Sequence, residues 1–265
     1  MLVKKIKFIL IIFLFYQSPL YSKSISFQDL NSKTLSKYFS GIVAFENKNN
    51  TEALSFFNSS KILLNQHELY LKRFIFSLVL ENKVSQAINI IRPNIGKNNS
   101  NFFEAHLLLI LDSIKKNNLD KAYEYLSIAR TFTEGDRLNL VIIESLNQYI
   151  FTFKEKKILD NKKNFGKLST ISETFQRCFL EDPKTDDYFS NLISDTKSDY
   201  TRYIYFYLSY LVENNRLDRA KKITENIDFI NTTLLLSQGK SWIENKNFEK
   251  FSKVFSCKNH NDIIS

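Results

Sequence analysis

The stretch Lys116–Ala122, which reads K-N-N-L-D-K-A, decides the fold because the chain contains several versions of it. Each version follows a run of apolar residues at helical spacing and precedes a second, shorter run. The alanines of the first three copies lie 34 and 35 positions apart. A period in this range predicts stacked helical hairpins. The other copies are E-N-K-N-N-T-E-A at 46–53, E-N-K-V-S-Q-A at 81–87, E-N-N-R-L-D-R-A at 213–220 and E-N-K-N-F-E-K-F at 244–251.

The residues of the repeated stretch suit a tight turn between two helices. Asn tolerates the left-handed backbone that ends a helix, where Gly is more usual. Asn or Asp can also accept the first free N–H groups of the following helix. The alanine falls about one turn into the second helix, where a small side chain lets two helix backbones approach closely. The repeat therefore predicts antiparallel helix pairs.

The pattern resembles the tetratricopeptide repeat (TPR), whose packing code combines a small residue late in the first helix, an alanine in the second helix and an aromatic residue four positions later. Gly41, Ala53 and Phe57 match all three positions in the first copy. The resemblance, which extends to the N-terminal part of exported bacterial TPR proteins, implies an all-α, right-handed α-solenoid of stacked antiparallel hairpins. The residues that it places at close helix contacts are Gly41, Ala53, Phe57, Ala87, Ala122, Ala129 and Ala220.

Composition favours the same fold class. The 265 residues include five Gly and three Pro, and a β-rich or α/β chain of this length would need more turn residues. The hydrophobic fraction of 43% is sufficient for a continuous core. An all-α chain is therefore predicted.

The period divides the chain into regions. Residues 23–130 are predicted to form three hairpins, and residues 198–265 two more. Residues 131–197 break the rhythm and are interpreted as irregular helices, with a degenerate repeat or a hinge as alternatives. The last residues, 261–265, resemble the start of another helix, so a truncated piece of a longer array is expected. The predicted helices span 35–47, 51–63, 68–82, 84–91, 102–116, 119–130, 138–153, 171–180, 200–214, 217–227, 232–245 and 248–255.

Residues 1–22 have the build of a secretory signal peptide. A basic start with three lysines precedes the apolar run 8–15, and Pro19 breaks the helix before a small-residue junction. The apolar run is too short to cross ~30 Å of hydrocarbon as a helix. Cleavage after Ser22 or Ser24 is expected, which would place the mature protein in the bacterial periplasm. An uncleaved N-terminal membrane anchor is the alternative.

The net charge of +9 could attract a polyanion, but three of the lysines leave with the leader. Because export removes the chain from nucleic acid, no nucleic-acid partner is expected, and membrane contact is expected only through an uncleaved N-terminal segment. Catalytic motifs such as a phosphate-binding Gly loop, GxSxG and HExxH are missing from the sequence. We therefore expect a protein that is not an enzyme, with no catalytic residue, cofactor or metal.

The histidines and cysteines do not indicate a metal site or a catalytic site. His67, His106 and His260 lack metal-ligand spacing. Cys178 and Cys257 are 79 positions apart, and because distant elements of a solenoid rarely touch, unpaired cysteines are favoured.

The expected function is that of a non-enzymatic scaffold for a protein or peptide partner in the cell envelope. The resemblance implies that first helices line an inner face, where aromatic residues beside a lysine suit a peptide. An envelope-anchored structural or assembly factor is the alternative, and the same side chains would serve equally as core. The candidate groove residues are Tyr38, Ile42, Phe45, Lys72, Phe76, Val79, Leu107, Leu111 and Tyr205.

Overall fold

The computed structural model describes residues 31–65, 67–95, 101–194, 201–225 and 233–258. Every regular element in these ranges is helical, which confirms the prediction of an all-α chain for the described residues. Two short 3-10 turns, Lys61–Asn65 and Arg130–Phe132, accompany the α-helices. The α-helices are α1 Ser32–Glu46, α2 Asn50–Asn58, α3 Glu68–Leu80, α4 Val84–Ile91, α5 Phe103–Lys115, α6 Leu119–Ala129, α7 Arg137–Glu155, α8 Lys167–Phe179, α9 Thr185–Ser194, α10 Thr201–Glu213, α11 Leu217–Glu225, α12 Leu234–Glu244 and α13 Glu249–Ser252.

The chain divides into two compact units near the end of α4. Of the described residues, 31–65 and 67–90 belong to the first unit, and 91–95, 101–194, 201–225 and 233–258 belong to the second. The predicted leader 1–22, the cleavage sites, His260 and the predicted start of a further helix at 261–265 lie outside the described residues. No described helix has both the length and the apolar character needed to cross a membrane.

The repeated stretch forms the same turn wherever it occurs. One residue takes a left-handed backbone, as Asn117 does with φ 54°, and two hydrogen bonds close the preceding helix. In that turn the N–H of Asn117 donates to the Ile114 carbonyl at 2.8 Å, and the N–H of Asn118 donates to the Ser113 carbonyl at 2.8 Å. This pair of bonds is the Schellman motif. The left-handed residues of the corresponding turns are Lys48, Asn82, Asn117, Asn215 and Lys246.

A sixth turn of this kind joins α8 and α9, inside the region whose rhythm is broken. Glu181 has φ 51°, and the N–H of Asp182 donates to the Arg177 carbonyl at 3.0 Å. The predicted helices include 171–180, which corresponds to α8, but none that corresponds to α9. Helix α9 follows that turn immediately, so α8 and α9 form a pair of the same local build.

The residues that the repeat pattern places at close helix contacts are all buried. A Cβ atom added to Gly41 would lie 2.8 Å from Cε1 of Phe57, so α1 and α2 approach too closely for any larger residue. Gly239 in α12 has a similar place, since its Cβ would lie 3.0 Å from the ring of Tyr205. The buried positions are Gly41, Ala53, Phe57, Ala87, Ala122, Ala129 and Ala220.

Side-chain caps fix several helix starts. Asn31, Asn118 and Asp136 each accept a backbone N–H from the residue three positions later. The cap of α3 is His67, whose Nδ1 accepts the N–H of Tyr70 at 3.1 Å.

The expectation of unpaired cysteines is also wrong. Cys178 at the end of α8 and Cys257 near the C-terminus form a disulfide, with Cα atoms 5.1 Å apart. The physical reason is that the chain does not continue as a helix to residue 255 as predicted. It leaves α13 at Ser252 and returns to α10, where Ser209 donates to the Phe255 carbonyl at 2.7 Å and Glu213 accepts the N–H of Cys257 at 3.1 Å. We call residues 253–258 the C-terminal strap.

Candidate functional site

The first unit carries an open apolar groove between α1 and α3, built from two adjoining pockets. The Tyr38 pocket has a volume of about 320 Å³ and the Phe45 pocket about 310 Å³. Leu69 and Arg73 of α3 line both, so the pockets form one continuous α1–α3 groove. The Tyr38 pocket is lined by Leu35, Tyr38, Phe39, Ile42, Leu63, His67, Leu69 and Arg73, and the Phe45 pocket by Phe45, Leu69, Lys72, Arg73 and Phe76.

An aromatic cluster forms the base of the groove. The Tyr38 ring packs against Phe57 at 6.1 Å and Tyr70 at 5.8 Å between centroids, and Phe57 meets Tyr70 edge-on. The hydroxyl of Tyr70 donates to the Phe57 carbonyl, and burial raises the pKa of Tyr70. This cluster joins α1, α2 and α3, so the walls of the groove stand on a packed core.

The Lys and Arg side chains of the groove give it a positive charge. Arg73 Nη1 donates to the Tyr38 hydroxyl at 3.0 Å, which holds the guanidinium against the groove wall. The Lys72 ammonium lies 5.8 Å from the centroid of the Phe76 ring. Among the described residues that line the two pockets, none is Asp or Glu. The groove is therefore an apolar surface with positive charge where its two pockets meet.

Five of the predicted groove residues line the two pockets. Tyr38 and Ile42 line the Tyr38 pocket, and Phe45, Lys72 and Phe76 line the Phe45 pocket. Val79 is half-buried and lines neither pocket.

Tyr38 requires a correction. It is 3% exposed, so it supports the groove from below and presents almost no surface to a partner. The physical reason is that its ring is enclosed by Phe57 and Tyr70, which are themselves buried.

The remaining three predicted groove residues belong to the second unit. Leu111 of α5 is 46% exposed and Leu107 is half-buried. Tyr205 is completely buried, which makes its assignment to a binding surface wrong. Its ring stacks on Phe251 at 5.5 Å and fills the space that Gly239 leaves open.

Sequence reasoning missed several groove residues. It followed a single line of positions along each first helix, whereas a groove is lined from the facing sides of two helices. Leu35 and Phe39 lie within one turn of Tyr38 and Ile42, so helical periodicity contained the signal for them. Leu69 and Arg73 are likewise one turn apart on α3. Leu63 lies in a 3-10 turn, for which periodicity offers no signal.

A second depression lies where α1 meets α2 and shares Phe39 with the Tyr38 pocket. Its volume is about 640 Å³, and its lining mixes polar and apolar side chains, with Ser36, Asn47 and Glu52 beside Phe39 and Val43. Because polar groups interrupt the apolar surface, this depression is a weaker candidate than the α1–α3 groove.

Three carboxylates of the second unit, half-buried Glu173 and buried Asp186 and Glu144, form ion pairs rather than an open site. Glu173 is bonded by Lys162 and Arg177, and its pKa lies at about 2 because these hydrogen bonds and one from Tyr188 outweigh the effect of burial, which alone would raise it. Asp186 pairs with Arg216 and Arg219, at 2.9 and 2.5 Å.

Glu144 of α7 has the same structural role. Its carboxylate lies 2.5 Å from Arg130 and 3.8 Å from Lys163. The carboxylates of Glu173, Asp186 and Glu144 are thus each held by two cations, an arrangement that suits helix packing.

The histidines have structural positions. His67 caps α3, and His106 is buried with Nε2 2.9 Å from Asn101 Oδ1. Burial lowers the pKa of His106, and its Nδ1 has no hydrogen-bond partner among the described residues. Within the described ranges, no group of three or more His, Cys, Asp and Glu side chains is arranged to hold a metal ion.

Comparisons with known protein families, with curated proteins and with solved structures found no match for this chain.

Proposed function

We propose that this protein is a non-enzymatic, TPR-like scaffold that binds a protein or peptide partner through the α1–α3 groove. The observation that carries the proposal is the pair of adjoining apolar pockets that share Leu69 and Arg73. Leu69 is 52% exposed, a high exposure for a leucine at the centre of an apolar groove. Apolar side chains that converge on one open surface favour a binding site.

The right-handed solenoid arrangement belongs to the proposal. Its support is the recurrence of one turn at intervals of 34 and 35 residues in the first three copies, with a small residue or alanine at each close contact. Repeats of this kind use most of their sequence for stacking, which leaves surfaces of the first helices for a partner.

The proposed location is the bacterial cell envelope, after export. The leader pattern of residues 1–22 motivates it, and the Cys178–Cys257 disulfide adds support because disulfides persist in oxidising compartments. Both observations favour a partner that also belongs to the envelope.

The test compares two leucines of α3 that are similarly exposed, one inside the groove and one outside it. Leu69 lies in the groove, whereas Leu80 is 51% exposed on the same helix and lines none of the pockets described above. A photo-crosslinking amino acid placed at 69 should capture a partner from intact envelopes, and the same group at 80 should not. With the captured partner purified, Leu69→Ala should raise its Kd at least fivefold, which corresponds to ~1 kcal/mol.

Leu80→Ala is the matched control and should leave the Kd unchanged. Both variants should unfold within ~1 kcal/mol of the wild type, since neither leucine is buried. Equal crosslinking at the two positions, or equal loss of affinity in both variants, would contradict the groove as the binding site.

A further inference from the structure

The C-terminal strap packs against aromatic rings of α8 and α10, and a disulfide ties it to α8. We propose that the strap is a redox-controlled cover. It is closed while the Cys178–Cys257 bond is intact, and it opens locally when a dithiol reduces that bond. The inference concerns the second unit alone and does not depend on the α1–α3 groove.

One side chain of the strap covers an aromatic surface. The Phe255 ring meets Phe206 of α10 edge-on at 4.9 Å and Phe175 of α8 edge-on at 5.8 Å between centroids. All three rings are partly buried while the strap is closed. Departure of Phe255 would expose more apolar surface of Phe175 and Phe206 to water, so this contact favours the closed strap.

Two backbone groups of the strap are held by side chains of α10. Ser209 Oγ donates to the Phe255 carbonyl at 2.7 Å, and Glu213, one turn later, accepts the N–H of Cys257 at 3.1 Å. An open strap would exchange these bonds for hydrogen bonds to water, so each contributes little net stability. The hydrogen bonds therefore fix where the strap lies without making it permanent.

The disulfide supplies the durable part of the attachment. The chain contains two cysteines, and both are enclosed, with Cys178 2% and Cys257 3% exposed. While the bond is intact, Cys257 stays beside α8 even if the other contacts break, so the strap closes again at high effective concentration. Reduction removes this restraint, and the closed state then depends on Phe255 and the hydrogen bonds.

The helices beside the strap have contacts that do not involve it. Tyr205 of α10 stacks on Phe251 of α13 at 5.5 Å, and Trp242 of α12 meets Phe251 edge-on at 5.4 Å. Phe251 precedes the strap and keeps these contacts when the strap leaves. Opening should therefore be a local event that preserves the packing of α10, α12 and α13.

The redox step is a thiol–disulfide exchange. One thiolate of the dithiol attacks a sulfur of the Cys178–Cys257 bond, and the second thiolate then attacks the resulting mixed disulfide. Two electrons and two protons pass to the protein, which gives two cysteine thiols and the oxidised dithiol. Because the closed strap favours the disulfide and the disulfide favours the closed strap, each must stabilise the other by the same factor.

Hydrogen exchange followed by mass spectrometry tests the opening. It compares the oxidised protein with the protein reduced by dithiothreitol. On reduction, the exchange rate of strap amides such as Cys257 N–H, divided by that of α12 amides, should rise by about tenfold or more. A uniform loss of stability would speed both segments equally. An unchanged ratio would therefore overturn the proposal, whether both rates rose or neither did.

Variants test the linkage between the strap and the bond. Phe255→Ala weakens the closed strap, so the equilibrium constant for reduction by dithiothreitol should rise about tenfold. Ser209→Ala removes the bond to the Phe255 carbonyl and should shift the constant in the same direction, which guards against misfolding of the first variant. Val254→Ala is the matched control, since Val254 is 49% exposed, and should leave the constant unchanged. Equal constants in all four proteins would overturn the proposal.

Discussion

At the residue scale, the small side chains of the repeat matter because they leave space for aromatic rings of the neighbouring helix. Gly41 is helical, and in an exposed helix a change from Gly to Ala stabilises by ~1 kcal/mol. Here the new Cβ would meet Cε1 of Phe57 at 2.8 Å, and Phe57 is completely buried. The ring cannot withdraw without disturbing Tyr38 and Tyr70, which contact it.

We therefore expect Gly41→Ala to lower the free energy of unfolding by ~1–3 kcal/mol, opposite in sign to the effect of helix propensity. Urea unfolding followed by circular dichroism measures it. Ser40→Ala, one position earlier in α1, is the control and should be neutral or slightly stabilising. A gain in stability for Gly41→Ala would mean that α1 and α2 are further apart than the structure places them.

The sequence was informative about these contacts because the repeat specifies them. Gly41, Ala53 and Phe57 could be chosen from spacing alone, and all three are buried. Spacing did not distinguish a residue that faces the core from one that faces a groove. Tyr38 and Phe45 are seven positions apart and lie on the same stripe of α1, and only the rings of Phe57 and Tyr70 decide that Tyr38 is enclosed while Phe45 remains partly exposed.

At the scale of elements, the turns were predictable and some helix partners were not. A turn is a local structure, so its asparagines and the following alanine were sufficient to predict it. The turn between α8 and α9 does not have this sequence pattern. Glu181 takes the left-handed position there, and Asp186 takes the place of the alanine. Asp186 can be buried there because Arg216 and Arg219 reach it from a later part of the chain, which no local pattern reveals.

An ion cluster in the same helix pair predicts how stability depends on pH. Glu173 of α8 accepts hydrogen bonds from Lys162 at 2.7 Å and from Arg177 at 2.9 Å, and Arg177 also binds Asp182. The pKa of Glu173 is lowered from 4.5 to about 2. Because the folded-state pKa is depressed, the stabilisation is fully present above pH 4.5 and is lost as the pH falls towards about 2.

Glu173→Gln should therefore lower the free energy of unfolding at pH 7 by ~1–3 kcal/mol, and the difference from wild type should shrink as the pH falls towards about 2. Urea unfolding of both proteins at several pH values gives this difference. Glu124→Gln breaks an exposed pair with Lys121 and should show no measurable change at any pH. A difference for Glu173→Gln that is independent of pH would show that its charge does not contribute to stability.

At the scale of the whole chain, the disulfide links two described residues that are far apart in sequence. It joins positions 79 apart, and the strap that carries Cys257 is held to α10 by Ser209 and Glu213. The sequence did not reveal it, because distant elements of a solenoid are expected not to touch and the predicted helix 248–255 left no room for a return of the chain to α10. Only the early end of that helix at Ser252 allows the strap to return.

Cys178→Ala combined with Cys257→Ala should lower the free energy of unfolding by ~2–4 kcal/mol, since the crosslink restricts a long loop of the unfolded chain. Reductant added to the unfolded wild type before refolding should give the same result, which separates the bond from the loss of two sulfur atoms. Glu213→Gln should weaken the strap in both redox states. If the reduced wild type were as stable as the oxidised protein, the hydrogen bonds of the strap alone would hold the C-terminal end of the described chain.

The same bond provides a test of the proposed export. A disulfide that forms in the envelope requires an oxidising compartment, so the thiols of the full chain should resist alkylation. A chain that lacks residues 1–24, begins with an added Met before Ile25 and stays in the cytoplasm should instead react at both cysteines. Cleavage should occur after Ser22 or Ser24, which N-terminal sequencing of the envelope fraction measures directly. Recovery of Met1 from oxidised protein would favour a retained N-terminal anchor with the folded part outside the cytoplasm. Reduced cysteines together with Met1 would contradict export itself, and with it an envelope partner for the α1–α3 groove.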